Sequence, residues 1–255
     1  MASISNRSET DTLLRARIDD ACHLCDVRSC PCFVGFLDEH QQAVARAVLR
    51  EKGVSDFLFF GGYAEAERTI LGVFPSFLPP DPAMFPLVAV RFRYRAAATI
   101  THRDVMGALL GEGIRREKLG DILCSEGQAI VLVDEDLAAF LAQSVTKIGR
   151  EGVKAEYPYT EEITVVREFK EWQDTVPSPR LDAVLHVALR TSREEAVRRL
   201  AAGAVSVNHM PTESPSQTVN EGDILSVRGA GRFRVAQLGP LTKKGRLIVR
   251  LEQFI

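Results

Sequence analysis

Residues 180–209, RLDAVLHVALRTSREEAVRRLAAGAVSVNH, change their hydrophobic period abruptly. Leu181, Val184, Leu185 and Ala188 fall at i, i+3, i+4 and i+7, one face of a helix. Ala196, Val197, Leu200 and Ala201 then form a second apolar arc. Thr191 with Glu194, or Ser192 with Glu195, has capping-box spacing at its start, and Gly203 is a natural stop. From Ala204 the stretch AVSVNH alternates as a half-buried strand does. NEGDILSVRG, GRFRVAQL and GRLIVRLEQ add further strand patterns. Two short helices running straight into a sheet limit this segment to a small α+β unit. Its arginines sit where the apolar stripe does not need them: Arg180 and Arg193 at helix starts, Arg198 and Arg199 beside the buried arc.

The rest of the chain divides into two further parts, giving three small domains at 1–85, 86–170 and 178–255, α+β in class. In the first, SETDTLLRARIDDA has helical spacing at Leu13, Leu14, Ile18 and Ala21, and FLDEHQQAVARAVLREKG reads as a second helix ended by Gly53. DFLFFGGY and AERTILGVFP hold strands, with Gly61–Gly62 a tight turn rather than a phosphate cradle. PSFLPPDPAMFP, with its many prolines, marks a boundary. In the second part LVAVRFRY is a strand whose outer face, with Arg91, Arg93 and Arg95, is expected to be solvated. A helix capped by Thr101 and Asp104, a hairpin (121–125 and 128–133), a helix at 137–148 and a last strand in EITVVREF complete a β-α-β-β-α-β order, the RRM-like split βαβ pattern. No RNP-like run of aromatics, on which such sheets stack RNA bases, is visible. Val176-Pro177-Ser178-Pro179 is read as a stiff linker.

Charge is uneven. The chain has 255 residues and a net charge of −2. From Ser178 onward, however, 12 Lys and Arg face 7 Asp and Glu, while the preceding residues hold 20 against 27. Positive charge gathered in one place, not a positive total, is what phosphate affinity needs. Nothing approaches the roughly 18 apolar residues of a membrane span, and MASISNRSETDTLLRARIDD lacks a signal-peptide core. A cytoplasmic protein without membrane partners is expected. CHLCDVRSCPC places Cys22, Cys25, Cys30 and Cys32 close together with His23. The C-x2-C pair has zinc spacing, but the C-x-C pair lacks knuckle glycines, and free thiols in a reducing cytosol are the expectation. No metal, cofactor or catalytic residue is assigned.

Arg180, Leu181, Asp182, Ser192, Arg193, Ala196, Gly203, Val205, Val207, Asn208, Gly222, Asp223, Val227, Arg228 and Gly229 together resemble the S-four (S4) RNA-binding domain over roughly 178–235. His209 stands where that family usually has glycine. FLDEHQQ, GGYAEAERTILGVFP and GALLGEGIRREKLGDIL, followed by that domain, make the whole chain similar to the YlmH family of bacterial and plastid RNA-binding proteins. The resemblance implies a non-catalytic, ribosome-associated factor that contacts large-subunit ribosomal RNA and tRNA, with roles in rescue of stalled nascent chains and links to cell division. A monomer is expected. An RNA-modifying enzyme, a pseudouridine synthase or methyltransferase, is the alternative, though no Gly-rich cofactor loop or long catalytic domain is visible. The candidate RNA-binding residues are Arg180, Ser192, Arg193, Arg198, Arg199, Asn208, His209, Arg228, Lys243 and Lys244, with Arg115, Arg116 and Lys118 in the central basic turn. Asp182 joins them as an orienting partner for an arginine. Some of the arginines are expected to pair with Asp182, Glu194 or Glu195.

Overall fold

A computed structural model describes residues 2–163, 169–208 and 210–254, with side chains from residue 9 onward. The chain forms two compact units, Met1–Thr164 and Val165–Ile255, of mixed α+β content. The boundary expected at 85/86 falls inside the first unit.

In the first unit α1 (Ala2–Arg28) buries Leu14, Ile18, Ala21, Cys22 and Cys25. Leu13 is exposed instead, because at about 100° per residue it lies off that stripe. The strand β1 (Cys32–Leu37) takes up the Phe36 and Leu37 that the sequence assigns to a helix. The helix α2 (Glu39–Lys52) begins only after Asp38, which forms a reciprocal capping box with Gln41, and ends on Gly53 at φ 69°. With β2 (Phe57–Phe60) and β3 (Thr69–Val73), β1 makes an antiparallel sheet of order β1-β3-β2. Val34, Leu37, Leu71 and Val73 pack with α1 and α2. Phe36, Ile70 and Phe74 form a cluster with Phe85, Ala89, Ile130 and Leu132, so the two expected N-terminal parts share a core.

The central elements are β4 (Leu87–Arg93), α3 (His102–Gly111), β5 (Leu119–Ser125), β6 (Gln128–Asp134), α4 (Glu135–Ser144), the short pair β7 (Lys147–Ile148) and β8 (Glu151–Gly152), and β9 (Lys154–Tyr159). The sheet order β5-β6-β4-β9, antiparallel throughout, is that of a split βαβ arrangement. Its fourth strand is β9 rather than EITVVREF, of which residues 164–168 lie outside the described residues and Phe169 belongs to the second unit. The helix α4 stops at Ser144, where extended Val145 turns into the core. The β4 arginines are not simply solvated: Arg91 and Arg93 pair with Glu156 across the sheet, and Arg95 with Glu151 at 2.7 Å.

The second unit contains β10 (Phe169–Val176), α5 (Leu181–Leu189), α6 (Arg193–Ala201), β11 (Val205–Val207), β12 (Met210–Pro211), β13 (Ile224–Val227), β14 (Gly231–Leu241) and β15 (Leu247–Phe254). These strands form one antiparallel sheet, β10-β15-β14-β13-β11-β12. WQDTV, near which the sequence reading starts the third part, completes β10, an edge strand paired with β15 along its length, so Val176, read as the first linker residue, is strand. Leu181, Val184, Leu185 and Leu200 from the helices meet Val205, Leu225, Phe233 and Leu251 from the sheet. Among the described residues no helix is long and apolar enough to cross a membrane.

Candidate nucleic-acid interface

Both helices of the second unit begin at an arginine, and both arginines hold the same carboxylate. Asp182, in the first turn of α5, is only 4 % exposed. Its Oδ1 accepts from Arg180 Nε at 3.1 Å, and its Oδ2 accepts from Arg193 Nε at 3.0 Å and Nη2 at 2.7 Å. Burial pushes the Asp182 pKa up, but the hydrogen bonds from Arg180 and Arg193 outweigh it and hold the carboxyl below its ordinary range. The two guanidinium groups stay close to half exposed. Asp182 therefore fixes two forks in place without cancelling them: two positive charges against one negative leave the cluster at +1, next to two helix N-termini.

Around this clamp the other candidates take different roles. Ser192 caps α6 by accepting from Glu195 N. The Glu195 carboxylate does not complete a capping box; it binds Arg198 at 2.7 Å and Arg199 at 3.2 Å, the i,i+3 and i,i+4 partners along its helix. Asn208, at φ 47°, donates to Asp223 Oδ1 and accepts from Ile224 N, so its side chain is spent on the β11–β13 connection. His209 lies outside the described residues. Lys243 and Lys244 are exposed in the β14–β15 turn. That turn is tied toward the α5 start: Arg246 donates to Thr175 Oγ1 and O, near the end of β10. Arg228 is exposed in the β13–β14 turn. The strand register puts that turn at the opposite end of the sheet, beside Phe169 and Phe254. The structure thus brings together Arg180, Asp182, Arg193 and Ser192, and sets Arg228 apart.

In the first unit the basic turn leads into β5. Arg115 is exposed, 3.9 Å from Glu117, whereas Lys118 Nζ is 2.5 Å from Asp134. Arg116 is exposed, with its carbonyl accepting from Arg68. The sequence reading missed Arg68 and Asp121. The Arg68 guanidinium donates to Leu119 O and Phe36 O as well, and burial, then the nearby Arg116, brings its pKa down to about 10. Asp121 accepts from Tyr63 Oη at 2.7 Å, Glu67 N at 2.7 Å and Arg68 N at 3.0 Å. The motifs GGYAEAER and LGD are therefore cross-ties between the two sheets of the unit. Glu67 and Arg68 lie 54 and 53 residues from Asp121, so no local pattern announces the ties; Gly120, next to Asp121, keeps the approach close, since a Cβ there would meet the Phe36 ring at 2.6 Å.

Among the described residues no three His, Cys, Asp or Glu side chains are placed together as metal ligands. Cys22 and Cys25 lie on the buried face of α1, and burial pushes the Cys25 thiol up to about 11.

Comparisons with known proteins agree with this layout. Residues 80–162 match a family model described as "Putative RNA-binding domain in YlmH", and residues 179–225 match the S4 domain. The chain is 36 % identical over 220 residues to "Ribosome-associated protein quality control protein P2" of Bacillus subtilis (strain 168), covering 86 % of this chain and 85 % of that protein. A solved structure, "Cell division protein ylmH from Streptococcus pneumoniae", superposes with a TM-score of 0.50 at 20 % identity over 58 % of this chain and 90 % of that one, a likeness of fold. An S4 domain with a shared-carboxylate arginine pair, the central domain before it and near-complete coverage of a curated relative place the chain in the YlmH family.

Proposed function

We propose that this chain is a non-catalytic RNA-binding factor that works at the ribosome in the cytoplasm. It contacts large-subunit ribosomal RNA and tRNA as a monomer, and serves the rescue of stalled nascent chains, with a link to cell division. The observation that carries the RNA reading is the clamp at the two helix starts, Arg180 and Arg193 on buried Asp182. Forks held by one carboxylate lose little further freedom on meeting a phosphate, and their free N–H edges match its oxygens. The ribosomal part of the reading is supported by the name of the Bacillus relative, and the cell-division link by that of the Streptococcus structure.

The test is a salt titration of binding to a ribosomal RNA fragment containing helices and loops. Arg193→Ala should weaken binding and lower the slope of log K against log salt by about 0.9, one phosphate contact. An unchanged affinity and slope would reject the clamp as an RNA contact.

A further inference from the structure

The end of the second unit's sheet opposite the clamp carries a cleft of about 170 Å³ that none of the readings above uses. It is smaller than the roughly 300–1,000 Å³ of pockets that enclose a whole drug-sized ligand, so it suits one flat group. Trp172 of β10 and Phe233 of β14 supply aromatic walls, edge to face at 6.0 Å, and Leu189 at the end of α5 adds an apolar one. Two cations line it, Lys170 and Arg190, and no acidic residue does. Glu171, between Lys170 and Trp172, points to the other face of the sheet by strand alternation.

Two details make this a shaped site rather than a gap. Arg190 caps α5 in the left-handed region at φ 50°, a conformation that costs a non-glycine residue energy, and its guanidinium lies over the Trp172 ring at 4.6 Å. The Trp172 indole is itself anchored, donating from Nε1 to Val187 O at 3.2 Å. Gln253 Nε2 donates to Ala230 O at 3.1 Å, which leaves its Oε1 as an unused acceptor at the cleft. An aromatic wall, a guanidinium plane, a hydrogen-bond acceptor and two uncompensated positive charges are the features that receive an unstacked nucleotide: base against the ring, N–H edge to the amide, phosphate to the cations.

The geometry points to this cleft as a second RNA site, one that takes a single splayed-out base of an unpaired strand. The inference deepens the RNA-binding reading and rests on it. It also has a built-in reporter, because Trp172 is the only tryptophan in the chain. The full chain is titrated with hexa-adenylate, following Trp172 emission corrected for absorption, with ribose 5-phosphate as the base-free control. A saturable change with the oligonucleotide and none with the sugar phosphate is expected. Arg190→Asn with Lys170→Gln, in which asparagine tolerates the left-handed backbone, should weaken that binding by about tenfold. The same double variant should keep a cooperative urea transition, which shows that the domain is folded. No saturable change, or equal affinity in the double variant, overturns the cleft. If Arg193→Ala leaves structured-RNA binding untouched while hexa-adenylate still saturates Trp172, the clamp reading fails and the cleft stands. If the clamp behaves as expected and the oligonucleotide gives no signal, the cleft alone is wrong.

Discussion

Asp182 shows how one side chain sets the behaviour of its neighbours. Its carboxylate is buried and accepts from two arginines, and its pKa is held below the ordinary value. A carboxyl with a depressed folded-state pKa contributes stability that is present above the unfolded pKa, near 4, and is lost as pH falls through the folded value. Asp182→Asn should therefore lower stability by about 1–2 kcal/mol at neutral pH, a figure discounted for the half-exposed arginines. The difference between variant and wild type should shrink as pH falls below about 4. Urea melts across that range check both statements; a constant difference at all pH values would contradict them. The R-L-D spelling made the pairing of Arg180 with Asp182 legible. The claim of Arg193 on the same carboxylate was not, since it depends on how α6 crosses α5. Nor was the use of Glu195, which had a cap and two arginines to choose from and took the arginines.

At the scale of elements, the caps were legible and the edge strands were not. Thr101 with Asp104 acts between residues three apart, so the local sequence contains the whole interaction; Asp38 with Gln41 has the same spacing, but the sequence reading carried that helix back to Phe36 and passed over the box. The strands β9 and β10 lie at sheet edges, and their side chains are largely polar or exposed. What makes them strands is pairing with β4 and with β15, far along the chain, and no local alternation announces that. The basic turn before β5 separates similarly into structural and available charge. Lys118 is committed to Asp134, whereas Arg115 is exposed and only loosely paired. Arg115→Ala with Arg116→Ala should reduce co-sedimentation with large ribosomal subunits while leaving the thermal transition in place. Normal co-sedimentation would remove the turn from the interface. Gly120 tests the packing next to it. A Cβ there would meet Phe36 at 2.6 Å and Leu132 Cβ at 2.8 Å. Gly120→Ala should cost about 1–3 kcal/mol through overpacking, measurable by urea denaturation, and a neutral result would mean that β1 and β5 can separate freely.

For the whole molecule, the placement of apolar side chains decides which pieces can stand alone. The core of residues 176–251 is drawn wholly from the second unit, with Val176 and Leu251 both fully buried within it. The central sheet is different: Ala89, Ile130 and Leu132 are covered by Phe36, Ile70 and Phe74 of the N-terminal sheet, and Arg68 and Asp121 tie the same two sheets through hydrogen bonds. The prolines at 75–86 look like a linker in sequence because proline forces extended backbone, yet Phe85 sits among them with 6 % exposure, at the centre of the shared cluster. A division into three domains by composition thus meets a division into two by burial, and separate fragments decide between them. Residues 165–255 alone should unfold in one cooperative urea transition. Residues 86–164 alone would expose the apolar face that Phe36, Ile70 and Phe74 cover, and should not unfold cooperatively, whereas residues 1–164 should. The urea slope separates the cases, since it scales with the surface exposed on unfolding. A sharp, monomeric transition for 86–164 would show that the central domain is self-sufficient, and that the phenylalanine cluster joins two independent domains rather than building one core.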